Sequence, residues 1–147
     1  MVGQTVTVKG IVTYKIGSRN VCVQDVTGDG DDSTSDAILV FGSSSDSSSV
    51  SVGAVVEVTG EVTEYIPGGA KTGNQPTTEI VNPIYTVTAT GQALPSPVEI
   101  GAGKRLPPTS SLAESIVFWE SMESMIVKVL DPIAVSGTTR YGETFVR

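Results

Sequence analysis

The sequence predicts an all-β protein built around a five-stranded barrel, and three observations carry that prediction. Apolar and polar side chains alternate at period two in residues 6–14 and 56–63, which is the spacing of strands buried on one face. The two segments repeat each other, with a glycine in the middle of each, at Gly10 and Gly60. A mid-strand glycine weakens a strand unless the sheet bends sharply there, so two of them favour a closed sheet. Five such strands fit a Greek-key barrel of the OB type, with a β-sandwich as the competing architecture.

The barrel is expected to occupy residues 1–90, where turn-forming residues separate the predicted strands. The predicted strands are 6–14, 20–24, 36–41, 56–65 and 78–90. Pro83 interrupts the fifth strand and therefore requires an edge or a bulge. The serine-rich stretch 43–51 lies where an OB fold often carries a helix, and its composition predicts a flexible bridge instead.

The remaining residues are expected to form a linker and a second, smaller unit. Residues 91–108 contain four prolines and three glycines, which predicts a linker. Residues 109–147 begin with a short helix from Ser110 or Ser111 to about Ser124, because Ser111 and Glu114 form a capping box. Trp119 is predicted to anchor this helix against the barrel. A β-hairpin with arms 125–135 and 141–146, turning at Ser136-Gly137, follows as the first hairpin of a truncated second β unit.

Composition excludes several classes of chemistry. The 147 residues contain no histidine, which removes Ser-His-Asp and Cys-His catalysis and histidine-ligated zinc. The single cysteine, Cys22, forbids an internal disulfide and is expected to be a packed thiol. The net charge is −7, which argues against a general nucleic-acid binder. No apolar run reaches membrane length, so no membrane contact is expected, and Met1 is not followed by the pattern of a signal peptide.

Much of the chain resembles one known module. The residues that carry the resemblance are 2–13, 23–25, 27–36, 52–65, 78–80, 118–125, 131–132 and 140–143. They resemble the OB-fold domain that precedes the catalytic domain in secreted bacterial nucleases of the endonuclease/exonuclease/phosphatase superfamily. Ala54 departs from that pattern, because the family commonly carries aspartate there. The resemblance implies an extracellular protein and a non-catalytic module, with metal-dependent phosphodiester hydrolysis performed by a downstream catalytic domain of the same chain.

An acidic loop between the second and third strands is the first candidate site. Five aspartates fall within twelve residues: Asp25, Asp29, Asp31, Asp32 and Asp36. Calcium prefers six to eight oxygen ligands from carboxylates and carbonyls, and this loop offers most of them, although the spacing is not that of an EF-hand. The alternative is an ordinary Asp/Gly turn held by side-chain to backbone hydrogen bonds.

The second candidate site is the usual OB ligand face, which the second and third strands and the loops after strands one and four form. The residues expected to contact single-stranded nucleic acid are Tyr14, Lys15, Arg19, Tyr65, Lys71 and Asn74. Aromatic rings stack on bases and cations track phosphates, which is how OB folds hold single strands. The alternative is that Tyr14 and Tyr65, which end paired strands, simply pack against each other.

The function that these observations predict is that of an accessory OB-fold domain that positions or supports a nuclease and contributes to nucleic-acid binding. Two alternatives belong to other classes. One is a module that binds protein or a cell-surface polymer, which the scarcity of positive charge favours. The other is a structural spacer stapled by calcium in the 25–36 loop.

Overall fold

The computed structural model describes residues 1–43, 47–140 and 142–147, and its regular structure is mostly β. The elements in chain order are β1 (Thr5–Ile16), β2 (Asn20–Gln24), β3 (Ala37–Phe41), β4 (Val55–Tyr65), β5 (Thr77–Ala89), β6 (Val98–Ile100), α1 (Leu112–Glu120) and β7 (Val127–Val129). The predicted all-β class is confirmed, and the five predicted strands of residues 1–90 are all present.

The first five strands form one sheet that closes on itself. Their order is β1-β2-β3-β5-β4, and β1 pairs with both β2 and β4, which makes a closed barrel rather than two stacked sheets. Every pairing is antiparallel except that of β3 with β5. The interior is filled by β-branched side chains: Val12, Val21, Val23, Val40, Val50, Val56, Val58 and Ile80, with Ala54.

The sequence repeat has a structural counterpart, because its two copies pair with each other as β1 and β4. The Gly3 amide donates to the Val62 carbonyl at 2.8 Å. The corresponding amide of the second copy, that of Gly53, donates to the Val12 carbonyl at 2.9 Å. The two hydrogen bonds are related by a local two-fold arrangement, so one sequence pattern used twice closes this part of the barrel.

Both mid-strand glycines lie where a side chain has no room. A Cβ at Gly10 would lie 2.6 Å from the carbonyl oxygen of Gln24. A Cβ at Gly60 would lie 2.5 Å from Cγ2 of Ile80. At both positions a neighbouring strand therefore approaches too closely for any residue with a side chain.

The proline in β5 occupies a bulge, as predicted. The β4–β5 register shifts between Thr59 and Glu61, which leaves Asn82 and Pro83 together opposite Gly60. Asn82 has a positive φ of 52°, a conformation that asparagine tolerates better than most residues. The bulge takes Pro83, which has no amide hydrogen to donate, out of the regular ladder.

The serine-rich stretch 43–51 is partly packed against the barrel. Residues 44–46 lie outside the described residues, but Ser47 and Val50 are both buried. The Ser47 hydroxyl donates to the Ser18 carbonyl at 2.6 Å. The ammonium group of Lys15 donates to the carbonyls of Ser47 and Val50, at 2.8 and 2.9 Å. In its described residues this stretch is therefore a fixed turn, which corrects the prediction of a flexible bridge.

The C-terminal third is built differently from the prediction. The stretch 91–108, predicted as a linker, contains β6, which pairs in parallel with β7. Parallel strands need a long crossover, and α1 lies within it, so β6, α1 and β7 form a small β-α-β unit. Residues 127–129 of the first predicted hairpin arm therefore pair with β6 and not with the second arm.

The two predicted hairpin arms do meet, at residues 133–135 and 145–147, which lie antiparallel to each other. Ala134 bridges to Val146, and Ile133 exchanges two backbone hydrogen bonds of 3.0 Å with Arg147. The Thr139 amide donates to the Glu143 carbonyl at 2.8 Å, so the chain reverses between these two residues and not at Ser136-Gly137.

The helix α1 begins where the capping box predicts. The Ser111 hydroxyl accepts a hydrogen bond of 3.3 Å from the Glu114 amide, and the helix ends at Glu120, a turn earlier than expected. The role predicted for Trp119 is wrong, because no residue of α1 is buried and 49% of Trp119 is exposed. The chain is anchored just after the helix instead, by the buried side chains of Ser121 and Met122.

Candidate functional site

The predicted ligand residues are carried by two loops at opposite ends of β3. The β1–β2 loop lies near Phe41, since the Gly42 amide donates to the Arg19 carbonyl at 3.1 Å. The β4–β5 loop leads into Thr77, and the parallel register pairs Glu79 with Leu39 at the middle of β3, so Thr77 lies level with the start of β3. A five-residue strand spans about 16 Å, so the two loops bracket the β2–β3 pair without meeting.

The two predicted stacking residues do not pack against each other. Because β1 and β4 are antiparallel, their C-terminal ends lie at opposite ends of the pair. Tyr14 lies across from Cys22, whereas Tyr65 lies across from Thr77. Both tyrosines are largely exposed, 60% for Tyr14 and 53% for Tyr65.

The polar residues predicted for this face have different surroundings. Lys15 is held by the two carbonyls of the 47–50 turn, so its charge stabilises the barrel. Asn74 donates to the Pro67 carbonyl at 2.8 Å and closes the β4–β5 loop. Arg19 and Lys71 are exposed. Of the six predicted residues, Lys15 is half-buried and the other five are exposed, although Asn74 is bonded to its own loop.

The outer face of β2, which lies at the centre of the predicted ligand face, is covered by the protein itself. Cys22 and Gln24 are only 8% and 3% exposed. The covering residues are 121–126, here named the C-terminal cover. Its Ile126 amide donates to Oε1 of Gln24 at 3.0 Å. Burial raises the pKa of the Cys22 thiol, partly offset by a hydrogen bond with Ser124 of the cover.

Further contacts join the cover to the barrel. The Ser35 hydroxyl donates to the Glu123 carbonyl at 2.7 Å. The amide of Thr78, at the start of β5, donates to Oε2 of Glu123 at 3.2 Å. Met122 is 4% exposed. These contacts reach β2, the start of β5 and the loop before β3.

Carboxylates are concentrated where the cover meets β5. Burial raises the pKa of Glu79, which lies next to Thr78 on β5. Burial also raises the pKa of Glu123, and the negative charges of Glu120 and Glu64 add to the effect while the Thr78 amide opposes it. The proximity of Glu64 to Glu123 depends on docking of the cover, which joins residues that are far apart in the sequence.

The acidic loop folds as a series of turns that its own side chains cap. Oδ1 of Asp29 accepts from the Asp31 amide at 2.8 Å, and Oδ1 of Asp31 accepts from the Ser33 amide at 2.9 Å and from its hydroxyl at 2.6 Å. The two hydrogen bonds from Ser33 hold the pKa of Asp31 below its usual value. Asp36 accepts from the Asp29 amide at 3.1 Å. Such bonds are those of an Asp/Gly turn.

The geometry of the loop places three of its five aspartates, Asp25, Asp29 and Asp36, along one cleft. Across residues 1–43, 47–140 and 142–147, no three acidic or thiol side chains come together in a group that could hold a metal ion. Calcium binding by this loop stays a prediction, which a calcium-dependent rise in melting temperature tests.

In the described parts of the chain, no helix is both long enough and apolar enough to cross a membrane.

Comparison with known families identifies the C-terminal half. The chain belongs to the family described as "Domain of unknown function (DUF8508)", which matches residues 74–147. The matched stretch begins in the β4–β5 loop and includes β5, the C-terminal cover and the β-α-β unit. Because β5 pairs with β3 and β4, that stretch shares its sheet with residues that precede it. No curated protein matches the chain, and no solved structure matches it.

Proposed function

We propose that this chain is a non-catalytic accessory module of the OB type, whose barrel holds its own C-terminal part on the face that OB folds use for ligands. The strand order β1-β2-β3-β5-β4, closed by the β1–β4 pairing, supports the OB assignment. The two bent strands with central glycines support it as well, since small barrels need such bends.

The observation that carries the proposal is the burial of Cys22 and Gln24 beneath the C-terminal cover. A nucleic acid on this face would have to displace the cover and leave buried polar groups, such as the Ile126 amide, without partners. Each such loss costs about 1–3 kcal/mol. The face is therefore better suited to fixing the β-α-β unit on the barrel than to exchanging ligands.

The resemblance to secreted bacterial nucleases suggests where this module acts and what it is attached to. In the secreted nucleases that the chain resembles, an OB module stands ahead of the catalytic domain, so the module proposed here supports and positions an attached enzyme outside the cell. Phosphodiester hydrolysis belongs to that attached domain. The composition supports this division, because the sequence has no histidine to act as acid or base.

A second candidate is the binding of single-stranded nucleic acid by the two loops that bracket β3. The observation that favours it is the exposure of Tyr14 and Tyr65 together with Arg19 and Lys71. The cations are few and about 16 Å separates the loops, so such binding is expected to be weak.

Hydrogen exchange with and without an oligothymidine tests the two candidates. For the scaffold role we expect the amides of β2, β3 and the cover to be as protected as the barrel core, and the oligonucleotide to leave them unchanged. Faster exchange in residues 121–126 on adding oligonucleotide, with slower exchange in residues 14–19 and 66–74, would contradict it. An Arg19→Gln/Lys71→Gln double variant should then remove that response, which would establish the loop site.

A further inference from the structure

A cluster of positive charge forms on the β-α-β unit, although the sequence scatters its members. The β6–β7 register places Glu99 directly opposite Lys128. A tight turn, closed by the Lys104 amide bonding to the Gly101 carbonyl at 3.0 Å, brings Lys104 back over β6. The ammonium groups of Lys104 and Lys128 then contact the two oxygens of Glu99 at 2.8 and 3.3 Å. One carboxylate thus holds two lysines together.

These residues line a cleft, here named the basic cleft, with a volume of about 720 Å³. Its lining residues are Ser96, Pro97, Val98, Glu99, Lys104, Arg105 and Lys128. Three of the nine lysines and arginines of the chain are gathered there against one carboxylate of the lining. More than half of each lysine side chain is exposed. A local excess of two positive charges is therefore presented to solvent by a chain whose net charge is −7.

Aromatic rings adjoin the basic cleft through Arg105. The guanidinium group of Arg105 lies over the Phe118 ring, 5.3 Å from its centroid. Phe118 in turn meets Trp119 edge to face, with centroids 5.1 Å apart. Trp119 is half exposed, and no residue of α1 is buried. Trp119 thus presents an exposed ring that is joined to the basic cleft through Phe118 and Arg105, and exposed rings combined with cationic grooves hold single-stranded nucleic acids.

Arg105 is fixed in this position by the barrel and the cover. Its Nη2 atom donates to the Asp32 carbonyl at 2.9 Å and to the Ser121 hydroxyl at 2.7 Å. Arg105 therefore orients the cleft relative to the barrel, and the two lysines, more than half exposed, are the groups that can exchange the Glu99 carboxylate for a phosphate.

We propose that the basic cleft and Trp119 form a binding site for single-stranded nucleic acid, with backbone phosphates on Lys104 and Lys128 and a base stacked on Trp119. This site is separate from the OB loops and does not depend on the proposed scaffold role. The exposed aromatic ring favours a nucleic acid over a sulfated polysaccharide, which has no base to stack. The long-range repulsion from a net charge of −7 is screened beyond about 8 Å at physiological salt, so the local charge decides.

Trp119 is the only tryptophan of the chain, so its fluorescence reports stacking directly. The experiment titrates the full chain with a short oligothymidine and follows quenching across a series of salt concentrations. Two phosphate contacts to a single strand give a slope of about −1.4 in log affinity against log salt. Replacing either Lys104 or Lys128 by glutamine should make that slope shallower by about 0.7.

Two further variants give effects of opposite sign. Glu99→Gln removes the competing carboxylate and is expected to strengthen binding by about two- to fivefold, the range expected of one exposed ion pair. Trp119→Ala, followed with a labelled oligonucleotide, is expected to weaken binding about fivefold or more. The matched control is Lys9→Gln, an exposed cation of β1 that belongs to neither candidate site, which should leave affinity unchanged.

Three outcomes would overturn the proposal. One is the absence of saturable quenching at low salt. Another is binding that Lys71→Gln weakens while Lys104→Gln and Lys128→Gln do not, which assigns nucleic acid to the OB loops. The last is binding of heparin as tight as that of oligothymidine and equally insensitive to Trp119→Ala, which makes the cleft a general polyanion site.

Discussion

At the scale of single residues, the fold depends on places where a side chain is excluded or tied down. Gly60 lies against the bulge of β5, where Ile80 and Val81 occupy the space that a Cβ would need. Lys15 shows the opposite case, a charged side chain that the sequence assigned to ligand binding and that stabilises a turn through two carbonyls. Sequence reasoning identified the glycine because a mid-strand glycine is unusual. It misread the lysine because residues 32 and 35 positions away supply its partners.

Gly60→Ala is expected to lower the free energy of unfolding by about 1–3 kcal/mol, because the new methyl group overlaps Cγ2 of Ile80 and the Val81 carbonyl. Urea unfolding followed by circular dichroism measures the change. Gly137→Ala is the matched control, since no atom lies within 4 Å of a Cβ built there. Equal midpoints for the two variants would show that the barrel tolerates a side chain at the bend.

At the scale of elements, the covered strand β2 decides how the two halves of the chain are joined. Its outer face binds the C-terminal cover, and the hydrogen bond between Gln24 and Ile126 spans 102 positions of sequence. The cover lies within the β-α-β unit, between α1 and β7. The sequence did not predict this unit, because two paired strands of three residues each leave almost no periodic signal. The helix between them was the available clue, since parallel neighbours require such a crossover.

Gln24→Met is expected to release the cover locally, because methionine fills a similar volume but offers the Ile126 amide no strong acceptor. The loss of about 1–3 kcal/mol corresponds to roughly a 5- to 150-fold faster exchange of that amide. Hydrogen exchange resolved by NMR measures it. The amides of β4 should keep their protection, and unchanged exchange at Ile126 would show that other contacts alone hold the cover.

At the scale of the whole molecule, the barrel and the family-matched stretch overlap, because β5 belongs to both. The match to residues 74–147 begins just before β5, yet β5 completes a barrel whose other four strands lie outside it. Docking of the cover also brings Glu123 within reach of the charges of Glu120 and Glu64, and Glu79 is buried on β5, so the stability of the molecule depends on pH.

The pKa of Glu79 and that of Glu123 are both raised above the ordinary value of 4.5, so the native state takes up protons before the unfolded state does. Above the raised pKa, the two buried charged carboxylates lower the free energy of unfolding. This cost disappears as the pH falls through the raised pKa toward 4.5 and the native state takes up the protons. We therefore expect Glu79→Gln to raise the melting temperature at pH 7 and to flatten its pH dependence between pH 7 and 4.5.

Thermal unfolding at several pH values tests this expectation, with Glu61→Gln as the control because Glu61 is an exposed carboxylate of the neighbouring strand. A variant Glu79→Gln that melts lower than the parent at pH 7 would mean that the Glu79 carboxylate makes a favourable contact when charged.

The sequence by itself determined the local features of this protein. Alternating valines and threonines determined the strands, Gly10 and Gly60 the bends, Pro83 the bulge and Ser111 the start of the helix. Each depends on the residue itself and its near neighbours, so period and composition reveal it.

Only the tertiary structure decided what the usual ligand face contains. The cover, the pairing of β6 with β7 and the gathering of Lys104, Arg105 and Lys128 all join residues that are distant in the sequence. These contacts form only once the chain has folded and distant residues have come together. A local sequence pattern carries no information about such contacts. The same fact separates the predicted site on the barrel from the basic cleft, since long-range packing covers the one and assembles the other.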